Sequence, residues 1–253
     1  MASEFANRTA LVTGAAHGIG RAVAQAFAAG GATVWGSDVA REPLAETGRI
    51  VGCRTDIVDV SDTDAVNAWV AAAAKEAGHI DALVHVAGGV RGQVWRPIDE
   101  VSDTDWNDIL QANLYGAFRC IRAVSPAMKR QGSGRIVIVS SGAGRSFSLT
   151  GIQAYTSAKA GELGLTRQMA RELGSFGITV NSVAPGFVRS NPSTEKQWLA
   201  MGEAGQKALV ESISLHRLGK AEEIAAAVAF LCSDAASYVS GQVLSVDGGR
   251  SMF

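Results

Sequence analysis

The feature that most restricts the fold is a strict alternation of short β-type runs with stretches of helical spacing. "GRIVIVSS" (134–141) shows the first kind plainly: it is apolar at every position from Ile136 to Val139, as a strand covered on both faces must be. Comparable runs stand at "TALVTG" (9–14), "ATVWGSD" (32–38), "VGCRTD" (51–56), "DALVHVAGG" (81–89), "GITVNSVAPG" (177–186) and "GQVLSVDGG" (241–249). Helical patterns lie between them. They comprise "GIGRAVAQAFAAGG", a short piece near 41–47, the Ser/Asp-capped "SDTDAVNAWVAAAAKEAG", Thr104–Gln131, the segment carrying Tyr155, and a helix near 220–233. Parallel strands need crossover helices, which cover both faces of the sheet. The pattern predicts one three-layer α/β domain over 1–253, a doubly wound parallel sheet of about seven strands. In such sheets ligands bind beyond the carboxyl ends of the strands, where most of the unusual residue groups of this chain fall.

Composition narrows the function classes. The 253 residues suffice for a large core without staples. Lys and Arg number 23 against 24 Asp and Glu, so nothing favours nucleic acid or an anionic membrane surface. Cys53, Cys120 and Cys232 form no CxxC pair, which argues against a disulfide framework or zinc site and for a reducing, cytoplasmic compartment. The start, "MASEFANRTALVTG", lacks a basic segment followed by a long apolar one, so no signal peptide is expected. No apolar run approaches the ~18 residues of a membrane span.

"TGAAHGIG" (13–20) follows the first run and opens the first helix, with Gly14, Gly18 and Gly20 spaced G-x3-G-x-G. Glycine permits a tight turn and lets backbone approach a pyrophosphate, while helix N–H groups face negative charge. A glycine-rich turn without ligand has the same look. Asp38, ending the second run, stands about where a carboxylate meets the adenosine ribose. There it would accept bonds from both ribose hydroxyls and repel a 2′-phosphate, predicting NAD over NADP; the plainer role is a cap on the next helix.

With these motifs the chain resembles the short-chain dehydrogenase/reductase family, of the single-domain Tyr-x3-Lys type with a Rossmann-type sheet. The resemblance runs from Thr13 to about Gly249. It rests on "TGAAHGIG", Asp56-Ile57, "VAGG" (86–89), Asn113 in "QANLYGAF", "SS" (140–141), Tyr155-x3-Lys159 and "PGFVRS" (185–190), in that order. Positions four apart share a helix face, so Tyr155 and Lys159 can act on one ligand. A free phenol titrates near about 10, and a neighbouring ammonium favours its ionised form. An ordinary exposed Tyr/Lys pair is the bland alternative. The resemblance implies Asn113, Ser141, Tyr155 and Lys159 as catalytic residues. Tyr155 would exchange the proton, Ser141 would bind the substrate oxygen, Lys159 would hold the nicotinamide ribose, and Asn113 would bend its helix and bind a water leading to Lys159. It further implies cofactor contacts from Gly14, His17, Gly18, Ile19, Gly20, Asp38, Asp56, Ile57, Ala87, Gly88, Tyr155, Lys159, Pro185, Gly186, Val188 and Ser190.

Two departures stand out. Ser141 lies one residue further from Tyr155 than the family's serine, which reads as an insertion within "GAGRSFSLTGIQ" and leaves Ser140 and Ser148 as weaker candidates. "HVAGG" stands where the family has N-N-A-G, so His85 and Val86 replace two amides that brace the sheet. His85 has no second ligand at metal-binding spacing, and no metal is expected. Loops carrying Val90, Arg91, Gln93, Trp95, Arg145, Phe147, Gln153, Phe187, Arg189, Asn191, Trp198 and Met201 mix aromatic and hydrogen-bonding groups, which suits a sugar, polyol or cyclic alcohol. The predicted activity is NAD-dependent interconversion of a secondary alcohol and a ketone or sugar lactone. A ketoacyl-type reductase using NADPH and a nucleotide-binding regulator without turnover are the alternatives. The polar stretch 187–216 reads as an irregular lid. The resemblance implies a homotetramer or homodimer, pairing helices 104–131 and 152–175, with helix 220–233 and the terminal "VDGGRSMF" at a second interface.

Overall fold

The computed structural model describes residues 4–252. Met1–Ser3 and Phe253, which belong to the terminal stretches considered above, lie outside the described residues. The strands are β1 (Thr9–Thr13), β2 (Thr33–Asp38), β3 (Arg54–Ile57), β4 (Ala82–His85), β5 (Gly134–Val139), β6 (Ile178–Pro185) and β7 (Val243–Val246). They form one parallel sheet in the order β3-β2-β1-β4-β5-β6-β7. The order reverses between β1 and β4, which opens a crevice at their carboxyl ends.

Packing accounts for the uniform apolarity of β5. Ile136 and Ile138 join the core on one face with Leu11, Trp35 and Trp69, while Val137 and Val139 join the core on the other with Val12, Val23 and Phe27. Helices α1 (Gly18–Ala29), α2 (Arg41–Val51), α3 (Thr63–Ala77), α4 (Asp103–Leu110), α5 (Gly116–Gln131) and α6 (Gln153–Leu173) follow in chain order. Then come α7 (Pro192–Ala200), α8 (Gly202–Glu211) and α9 (Ala221–Cys232). The Asp62 carboxylate caps α3 by accepting from the Asp64 and Ala65 amides.

Three local expectations change. Val51 belongs to α2, which ends on Gly52 in the left-handed conformation (φ 72°), so β3 begins only at Arg54. Residues 187–216 are not irregular: Asn191 and Thr194 form a capping box that starts α7 with Pro192 in its first turn, and α8 follows. The helix expected over 104–131 is interrupted by a π turn at Gln111–Tyr115. Asn113 sits in that turn, its Nδ2 donating to the Ile109 carbonyl at 2.8 Å and to the Gly89 carbonyl at 2.9 Å.

Candidate active site

A cleft of about 550 Å³ lies across the carboxyl edge of the sheet, walled by the loops after β1, β2, β4, β5 and β6 and by one face of α6. Its floor is the glycine loop. Gly14 (φ 68°) approaches Ala87 so closely that a Cβ would stand 2.8 Å from the Ala87 nitrogen, and one on Gly20 would collide with the Gly14 carbonyl. His17 precedes α1 without a side-chain cap, and the first turn of α1 carries no acidic residue. The leading amides of a twelve-residue helix therefore face the cleft with no side chain competing for them. Backbone cradle and uncapped helix together fit a pyrophosphate.

Thr13 fixes the neighbouring strand ends. Its Oγ1 accepts from the Val86 and Ala87 amides at 3.0 and 3.1 Å, so its own hydrogen goes to His85 Nδ1 at 3.1 Å. That places the imidazole proton on Nε2, which faces the backbone of Asn113 without a hydrogen-bond partner among the described residues. His85 is wholly buried; burial first and the Lys159 charge second push its pKa down to about 3.

Asp38 reaches the cleft from the end of β2. Its carboxylate accepts from the Ala16 amide at 3.1 Å and the Ala40 amide at 3.0 Å. Ala40 is the residue at the start of α2, with no side-chain cap, so Asp38 does not serve as that helix's N-cap residue. Asp56 and Ile57 do not line the cleft; they stay within β3, paired with Ser37 and Asp38. Val58, Asp59 and Val60 stand there instead, and the Asp59-Val60 pair, which repeats the Asp–β-branched pattern of Asp56-Ile57, was the available signal. Burial acts to raise the Asp59 pKa, but hydrogen bonds from Ser61 and the charges of Arg91 and Arg119 hold it below the usual carboxylate range.

Tyr155, Lys159 and Ser141 all line the cleft. Ser140 Oγ donates to the Lys159 carbonyl at 2.9 Å, whereas Ser141 Oγ accepts from the Ala143 amide at 3.1 Å and keeps its own hydrogen free among the described residues. Ser148 also lines the cleft, its hydroxyl paired with Thr150. Gly144 lets this loop touch α6, since a Cβ there would stand 2.6 Å from the Lys159 carbonyl oxygen. Asn113 is buried behind the cleft; its Oδ1 accepts from the Gly89 amide at 2.9 Å, so the side chain holds the Gly88–Gly89 loop. Gly18 forms part of the loop without lining the cleft. Ile19, Ala87, Gly88, Pro185, Gly186, Val188 and Ser190 do line it.

The proposed substrate loops are only partly brought together. Val90, Arg91, Phe147, Phe187 and Asn191 line the cleft. Arg145 instead donates to the Val243 carbonyl and Ser245, and Arg189 pairs with Glu195 and lies over Trp198. Asp247, Arg250 and Ser251 enter from beyond β7, a contribution that sequence spacing did not indicate. Among the described residues no group of three His, Cys, Asp or Glu could hold a metal, and no helix is long and apolar enough to cross a membrane.

A family model described as enoyl-(acyl carrier protein) reductase matches residues 14–251. The 3-oxoacyl-[acyl-carrier-protein] reductase FabG of Salmonella typhimurium is 37% identical over 250 residues, covering 98% of this chain and 99% of the relative. The FabG of Staphylococcus aureus is 38% identical over 251 residues, covering 97% and 98%. Among solved structures, levodione reductase superposes with a TM-score of 0.92 at 34% identity, over 97% of this chain and 98% of that one. A Brucella melitensis structure described as ribose-5-phosphate isomerase gives a TM-score of 0.91 at 33% identity, over 99% and 94%.

Proposed function

Because the chain belongs to the short-chain dehydrogenase/reductase family of oxidoreductases, we propose that it reduces a ketone to a secondary alcohol, reversibly, with residues 1–253 acting as one catalytic domain. The observation that carries this reading is the convergence of Tyr155, Lys159 and Ser141 on a cleft floored by an uncapped glycine loop. A bound nicotinamide would supply or accept the hydride. Ser141 donates a hydrogen bond to the carbonyl oxygen and orients it. Tyr155 delivers its hydroxyl proton to that oxygen, and Lys159 sets a positive charge 5.9 Å from the centre of its ring. Asn113 positions the Gly88–Gly89 loop against the cofactor.

Relatives named for 3-oxoacyl and levodione reduction support a ketone reductase better than the sugar or polyol dehydrogenase expected from the loop composition. We assign NAD(H) as cofactor on separate grounds. Asp38 presents a carboxylate to the cleft, and none of the cleft residues contributed by β1 to β3 and the loops after them is Lys or Arg. A 2′-phosphate would meet that negative charge. We further assign residues 187–216 as a lid, a cytoplasmic site of action suited to three free thiols, and a homotetramer. Exposed Tyr115 and Phe118 would pack in one interface of that tetramer, and Phe230 and Leu244 in another.

The test is consumption of NADH or NADPH with a short 3-oxoacyl thioester and with cyclic ketones, beside the reverse reaction with polyols and NAD. Turnover of a ketone with NADH, cut at least ~100-fold by Tyr155→Phe, is the expected result. A Tyr155→Phe variant as active as the parent would overturn the assignment, and no turnover with any pair would favour a regulator.

A further inference from the structure

We propose that Glu162 is a positioning residue for the proton shuttle: its carboxylate holds the Lys159 ammonium in a buried ion pair and so limits how much of that charge acts on Tyr155. This rests on the roles given above to Tyr155 and Lys159. An ammonium has three N–H bonds, and here each has a protein acceptor. Lys159 Nζ lies 3.0 Å from Glu162 Oε1, 3.1 Å from Oε2 and 3.2 Å from the Val139 carbonyl. The same nitrogen lies 5.9 Å from the Tyr155 ring centroid. Tyr155, Lys159 and Glu162 succeed each other along one face of α6, so the carboxylate lies on the far side of the cation from the phenol.

The pair is sealed: the Lys159 and Glu162 side chains are 4% and 0% exposed. A carboxylate is costly to bury without a partner, so packing alone gives no reason for Glu at this position. The other groups facing the pair are few. β4 brings His85, which is neutral; the end of β5 brings the Ser140 hydroxyl and the Val139 carbonyl; the π turn brings only backbone toward His85. Among the described residues, Lys159 is the cation that acts on Glu162. Burial raises the Glu162 pKa and Lys159 draws it partly back, while burial works against the Lys159 charge and Glu162, then Tyr155, more than restore it.

Two consequences follow. To reach a ribose hydroxyl, Lys159 must release an N–H from Glu162 or from Val139. Where Lys159 keeps its charge, to which Tyr155 also contributes, a neutral residue at 162 leaves the ammonium uncompensated beside the phenol, and the phenolate forms at lower pH.

The experiment compares the full-length parent with Glu162→Gln and Glu162→Asp. Phenolate absorbance is titrated against a Tyr155→Phe reference, which isolates one of the three tyrosines without substrate, and the pH profile of kcat is recorded for alcohol oxidation. Glu162→Gln should move both midpoints down by about one pH unit, with Glu162→Asp between it and the parent. Equal absorbance midpoints in the parent and a folded Glu162→Gln would refute the proposal. If Glu162→Gln does not fold, equal midpoints for the parent and Glu162→Asp would do the same. A parent that turns over no pair would sink the functional reading, and the absorbance titration would still decide the role of Glu162.

Discussion

Replacing His85 by Asn should remove a specific acid sensitivity. The imidazole is buried and neutral, with its folded pKa near about 3 against about 6.5 in the unfolded chain. Between those values the unfolded state binds a proton that the native state refuses, so acidification favours unfolding. Stability is therefore complete above about pH 6.5 and lost progressively down to about pH 3, at up to ~1.4 kcal/mol per pH unit. From pH 7.5 to 5.0 the loss comes to about 2 kcal/mol. With a urea slope of ~3 kcal/mol/M that is a fall of ~0.7 M in the unfolding midpoint. Glu162 acts in the opposite sense, because a raised folded pKa makes the native state the better proton binder as pH falls. That contribution is shared by parent and variant and cancels in the comparison. Urea unfolding at several pH values and one protein concentration should show the parent losing about 2 kcal/mol more than His85→Asn over this interval. The absolute stability of the variant does not matter, since only the slope is read. Parallel slopes would mean that His85 does not titrate as its burial requires.

Asp38→Ala should narrow the preference for NADH over NADPH by about tenfold, because it removes one charge facing a 2′-phosphate. Steady-state kinetics with both cofactors measure this, and a parent that already prefers NADPH would show that Asp38 does not select. Amides within 187–216 should exchange hydrogen more slowly once cofactor and ketone are added together; unchanged exchange would remove the lid assignment.

Where burial follows directly from periodicity, the chain was easy to read. β5 is apolar throughout because neighbouring residues enter different cores, and that pattern fixes both its type and its central place. Boundaries set by a single cap were harder, as at Gly52, where a left-handed glycine hands Val51 to the helix. The helices α7 and α8 are short and lack an apolar stripe, so "SNPSTE", with its N-cap and first-turn proline, is the one local signal for them. In the site, residues in compact motifs such as Gly14, Tyr155 and Lys159 were legible. Asp59 was masked by a similar pair three residues earlier, and Glu162 by its ordinary spacing from Lys159. That spacing suits a solvated surface pair equally well, and only the tertiary fold reveals that water is shut out.

The π turn at Gln111–Tyr115 makes the connection between α4 and α5 one residue longer than a regular helix would need. Excising a single residue there would mend the spiral and leave α5 in phase, because a π turn takes up one extra residue with little added rotation. Cys120, Val124 and Met128 would still meet the sheet, and the change would fall on the bulged turn that carries Asn113 to the Gly89 carbonyl. The irregularity thus lets one continuous rod serve a loop at its beginning and a hydrophobic interior further along.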